Sequence, residues 1–138
     1  MTLRRYENMA KVGVFFSFEF DRDKDLYGDF FAQAKSKSPH AIRDYSLNKV
    51  HPPDDWKEKA EAHIRRSKVV IVVVGQDTHN APGVDEEVKI AKRLGTPIFQ
   101  LQPQKQNYGG LNGAGEIIPW KWDKINDKID ELLKQAQG

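Results

Sequence analysis

The chain contains no cysteine. That removes disulfide staples and thiolate zinc sites, and it suits a reducing cytosol. The four histidines, His40, His51, His63 and His79, show no metal-ligand spacing, so no metal is expected. Neither sign of charge dominates, since 22 basic and 20 acidic residues leave a net charge of +2. The only local basic cluster is Arg65, Arg66 and Lys68, which argues against a nucleic acid as the main partner. Long hydrophobic runs are missing as well. The longest, Val69 to Val74, is far short of the roughly 20 residues that cross a bilayer, and Met1 to Ala10 is polar and charged, unlike a targeting segment. A soluble, cytoplasmic protein without a membrane partner is expected. There is no G-x-G-x-x-G after the first apolar run, no Walker-type loop and no G-x-S-x-G elbow, which excludes the common glycine-rich nucleotide grips and the hydrolase nucleophile. No internal repeat is present. A chain of 138 residues is expected to form a single domain around one core.

What is present is an alternation of strand and helix patterns. Val12 to Phe18 and Val69 to Gly75 are continuously apolar and rich in β-branched or aromatic residues, as strands buried on both faces are. Pro97 to Gln102 is a weaker strand, opened by a proline tolerated at a strand start. Ala41 to Ser46 reads as a more polar edge strand. Between them, Leu26, Tyr27, Phe30, Phe31 and Ala34 recur at helical spacing, as do Trp56, Ala60, His63 and Ile64. A third helix runs from Pro82 to Gly95, and a last one carries Trp122, Ile125, Ile129, Leu132 and Leu133 on one stripe. Four strands interleaved with helices favour an α/β, flavodoxin-like, doubly wound parallel sheet in three layers, with a core over residues 11–102 and a loop and C-terminal helix over 103–138. Gln104 to Trp120 shows turn chemistry and no periodic pattern, and reads as a loop that either borders the site or decorates the surface.

One residue breaks the pattern of its helix. At about 100° per residue, Val84, Val88, Ala91 and Leu94 share a face, while Asp85, Glu86, Lys89, Lys92 and Arg93 share the other. Glu87 falls among the apolar group, three residues after Val84 and four before Ala91. A carboxylate near a core costs several kcal/mol unless it is paired, hydrogen-bonded or open to a pocket. Either it is a structural acid bridged at the core edge, or it serves a site. In a doubly wound sheet ligands bind beyond the carboxyl ends of the strands where strand order reverses, here between the first and third strands. Phe16, Ser17, Asp21 and Asp23 follow or end the first; Asp77, Thr78 and Asn80 follow the third. Ser17 can instead satisfy a backbone group, and Asp21, Asp23, Asp77 and Thr78 are ordinary cap and turn formers. A phospho-acceptor receiver would need an acceptor aspartate ending the third strand and a lysine at a later strand end, which this chain fits poorly.

Phe15-Phe16-Ser17-Phe18 with Asp21, the apolar third strand ending in Gly75-Gln76-Asp77-Thr78, and Val84-x-x-Glu87-Val88-x-x-Ala91 together resemble the TIR-like domains of bacteria, in particular those of Thoeris-type anti-phage defence. The resemblance spans about Lys11 to Gln102. It implies cleavage of NAD+ between nicotinamide and ribose, giving ADP-ribose or a cyclised isomer, with NAD+ as substrate and no permanently bound cofactor. It also implies that Glu87 is catalytic and that Phe16, Ser17, Asp21, Asp77 and Thr78 line the substrate cleft. Self-association is implied too, and a chain this short is expected to act through a separate effector that responds to its product. One position departs from the family: an aromatic residue commonly precedes Val84, where this chain has Gly83. Two other readings stay open, a non-catalytic TIR assembly module and an enzyme akin to nucleoside deoxyribosyltransferases.

Overall fold

The computed structural model describes residues 11–18, 20–46, 55–75, 82–103 and 109–137. Among these residues five strands, β1 (Lys11–Ser17), β2 (Ala41–Asp44), β3 (Val69–Val73), β4 (Ile98–Gln102) and β5 (Ile117–Pro119), are joined by or followed by four helices. These are α1 (Phe20–Lys37), α2 (Trp56–Arg66), α3 (Pro82–Leu94) and α4 (Trp122–Gln137). The strands form one sheet in the order β2-β1-β3-β4-β5, every neighbouring pair parallel. This is the flavodoxin-like order, and it reverses between β1 and β3.

All five residues of β3 are buried, as its unbroken apolar run and its place at the centre of the sheet require. The polar β2 lies at one edge. The other edge corrects the four-strand reading: Ile117–Pro119, inside the stretch taken for plain loop, is a strand in register with β4, Gln100 opposite Ile117 and Leu101 opposite Ile118. Three residues are too few to show an alternation, so the signal was absent rather than overlooked.

Strand alternation divides the core between the two faces of the sheet. Val12, Val14, Phe16 and Phe18 of the first strand region join Ile71, Val73, Phe99 and Leu101 under α1 and α4. Phe15 joins Val70 and Val72 on the opposite face, under Ala60 and Ile64 of α2 and Val84, Val88, Ile90 and Ala91 of α3. The first face is dominated by rings: Phe16 meets Phe30 at 4.9 Å between centroids, and Phe30 meets Trp122 at 5.0 Å. The Gln33 side-chain oxygen, Oε1, accepts from both indoles, Trp120 at 3.1 Å and Trp122 at 2.8 Å. That satisfies two part-buried donors at the junction of β5 and α4.

α3 ends at a glycine because the chain must turn left-handed there. Gly95 has φ +72°, its N–H donates to the Lys92 carbonyl at 3.2 Å, and the next N–H, of Thr96, donates to the Ala91 carbonyl at 2.9 Å. The pair is a Schellman cap. It fixes where α3 stops and, with the docked apolar face, the rotation at which α3 lies on the sheet.

The connection from β4 to β5 contains no helix among its described residues. Residues 109–116 instead lie against Gln100 of β4, whose side chain is 2 % exposed. Leu111 N–H donates to Gln100 Oε1 at 2.7 Å. Gln100 Nε2 in turn donates to the carbonyls of Leu111 at 3.2 Å and Gly115 at 2.8 Å. Ala114 is fully buried beside Ile90 and Ala91. This half of the loop is therefore pinned to the α2/α3 face.

Candidate active site

Ser17 is the last residue of β1, with its Cα in register with Val72 of β3. Two residues after Phe15, it faces the α2/α3 side of the sheet. Glu87 lies in the second turn of α3, on the stripe formed by Val84, Val88 and Ala91 that docks on that same side. The two meet: Ser17 Oγ donates to Glu87 Oε1 at 2.7 Å, across 70 residues of chain. Both side chains are 0 % exposed. The meeting point is at the carboxyl end of β1, beside the reversal of strand order. Val74 and Gly75, which continue β3 past its last paired residue, are buried as well, with Val74 N–H bonded to the Leu101 carbonyl at 2.9 Å.

Helical spacing thus located Glu87 correctly on the inner face, but the carboxylate is enclosed rather than presented at an open rim. The hydroxyl bond answers part of its burial cost, because a hydrogen bond to an ionised acid is among the stronger ones. The matched acid Glu86 is only half-buried and Asp85 is exposed, as the outer face of the helix dictates.

The other residues expected at the cleft are distributed differently. Phe16 points to the opposite face of the sheet, fully buried among Phe18, Tyr27, Phe30 and Phe31, so its side chain does not meet Ser17 and Glu87. A continuous apolar run does not reveal which of two neighbours faces which helix layer. Asp21 is in the first turn of α1. Asp77 and Thr78 lie outside the described residues, as does the side chain of Asp21. Gly83, one turn before Glu87, has no atom within 4 Å of where a Cβ would stand. The space that a family aromatic would enter is open at that point.

A second polar group at the same end of the sheet had no sequence signal. The Tyr27 hydroxyl donates to Asp44 Oδ2, and Asp44 Oδ1 accepts the Ser46 N–H at 2.8 Å. Ser46 Oγ then accepts the Phe16 N–H at 2.8 Å, extending the β1–β2 pairing by a side chain. Tyr27 also stacks on Phe18 at 4.9 Å. Burial, and then the Asp44 carboxylate, push the Tyr27 hydroxyl far above the ordinary tyrosine range. Tyr27 and Asp44 are 17 residues apart, across the rest of α1, a turn and β2, which is why spacing alone could not pair them. Among the described residues no cluster of His, Asp or Glu is arranged to hold a metal, and no helix is long and apolar enough to cross a membrane.

The chemistry available is that of a single shielded carboxylate, held by a hydroxyl on a rigid strand. Such an acid can stabilise a positive charge developing on a sugar or orient sugar hydroxyls. A family model for the Thoeris protein ThsB, TIR-like domain, matches residues 15–108, from within β1 to beyond β4. No curated protein matches the chain.

Proposed function

The chain belongs to the family of Thoeris ThsB TIR-like domains, proteins of anti-phage defence, and from that premise we propose that it cleaves the bond between nicotinamide and ribose in NAD+. The observation that carries the reading is Glu87, an acid placed on the inner face of α3 at the carboxyl end of β1 and held there by Ser17. As the glycosidic bond breaks, its electron pair neutralises the pyridinium ring of nicotinamide. Positive charge is left on the ribose C1′ and ring oxygen. Glu87 opposes that charge, and attack at C1′ by water, with loss of a proton, gives ADP-ribose. Attack by a nucleophilic atom of the substrate's own adenine gives a cyclic isomer.

Because Glu87 is fully enclosed, NAD+ reaches it only after the cover over the carboxylate moves. This suits an enzyme switched on by a trigger. Asp21, Asp77 and Thr78 are proposed to border the nucleotide, while Phe16 acts from behind, fixing β1 through the aromatic face. Self-association and a separate effector that responds to the product complete the proposal.

The same enclosure also favours a second reading, a non-catalytic assembly module in which Glu87 only shapes the core. Nicotinamide release decides between them. Purified protein is incubated with NAD+, with and without a phage-infected lysate, and products are identified by mass. Glu87→Gln should lower release by roughly two orders of magnitude or more while the protein stays folded, and Glu86→Gln should leave it unchanged. Full activity in Glu87→Gln would overturn the catalytic assignment.

A further inference from the structure

We propose that Ser17 is the positioning residue of Glu87, holding its carboxylate ionised and fixed in orientation, and that it makes no contact with the nucleotide. The proposal rests on the NAD+-cleaving reading for its consequence, though not for its geometry. Ser17 is 0 % exposed, as Glu87 is, and the one proton its hydroxyl can donate is already given to the carboxylate. Its backbone is paired with β3, in register with Val72, and its hydroxyl is directed at Glu87 Oε1, 2.7 Å away.

An ionised carboxylate only accepts hydrogen bonds. In that state the hydroxyl must be the donor. Donation to the anion favours the charged form, whereas enclosure by Val84, Val88 and the sheet disfavours it. A strand inside the sheet is a rigid support, so Oε1 is held while the rest of the side chain packs. For an acid whose task is to face a cationic ribose, both the charge and the placement are needed before substrate arrives.

The test compares wild type with Ser17→Ala, a change that adds no volume and breaks no backbone bond. The Glu87 carboxyl carbon is labelled and its chemical shift followed against pH by NMR in the unliganded proteins. In parallel, kcat and KM for NAD+ are measured across the same range. In Ser17→Ala the Glu87 titration should move to higher pH by about one pH unit or more. The acid limb of kcat should move with it, so that at a pH below both titrations kcat falls about tenfold, and KM should stay within about twofold. A Glu87 titration identical in the two proteins overturns the proposal, and so does a variant that loses KM while keeping kcat. If wild type releases no nicotinamide, the catalytic reading fails by itself, and the titration still decides whether Ser17 governs the charge on Glu87.

Discussion

Replacing Gln100 by methionine is the sharpest test of how residues 109–116 of the β4–β5 connection are held on the sheet. Methionine keeps the length and unbranched shape of the side chain, and it removes the amide that makes three bonds to Leu111 and Gly115. Each such bond contributes about 1 kcal/mol net, so the gross loss is about 3 kcal/mol. Two terms bear on this figure, and both keep it low. Leu111 is half-buried and Gly115 exposed, so their freed backbone groups regain water if the loop lifts, which limits the desolvation penalty. Methionine in place of a buried amide recovers about 1 kcal/mol of apolar burial. The expected outcome is a destabilisation of about 2 kcal/mol in urea unfolding, with the slope unchanged. The Leu111 amide should also lose its protection from hydrogen exchange. Gly110→Ala attacks the same clamp from the other side, because a Cβ there would stand 2.4 Å from Gln100 Oε1. A Gln100→Met protein with an unaltered urea midpoint and a Leu111 amide still protected would refute the view that this side chain holds the loop.

Two further outcomes are expected. The Tyr27 hydroxyl ionises in the native state only well above the ordinary value of 10.0, so above pH 10 the native protein keeps a proton that the unfolded chain releases. The resulting contribution is intact below that pH and is lost as pH rises, so the decline of urea stability between pH 9 and pH 11 should be shallower in Tyr27→Phe. Gly83→Ala should raise stability by about 0.5–1 kcal/mol, since the site is helical and nothing lies within 4 Å of the added Cβ; a lower urea midpoint would show that the space is not open. An aromatic residue at position 83 is expected to increase nicotinamide release.

The doubly wound sheet was legible because its determinants are local. A continuous apolar run marks a strand covered on both faces, and a 3.6-residue stripe marks a helix docked on it. Glu87 was legible for the same reason, as an exception to its own stripe. What escaped depended on pairings that leave no mark in spacing. β5 exists because three residues find the edge of β4, and Gln100 reads as a blemish in a strand until the backbone groups it binds are in place. Backbone donors and acceptors are the same at every residue, so no pattern of side chains announces them. The face chosen by Phe16 against Phe15 was hidden in a run where both are apolar. Only the helix that each one meets distinguishes them.

The Ser17–Glu87 bond joins two strand-helix units across 70 residues, and this has a kinetic consequence. Neither partner sits in a segment that folds by local contacts alone. β1 must pair with β3, across a crossover that includes β2 and α2, before α3 can dock over both. Non-local parallel pairing of this kind is slow to form. The buried acid is therefore completed late, after most of the sheet is built. Recovery of the Glu87 environment on refolding should trail the return of helical signal. No fragment that omits either β1 or α3 can retain it, and circular permutants cut in the β2 region should regain it at rates set by the new β1–β3 connection rather than by overall stability.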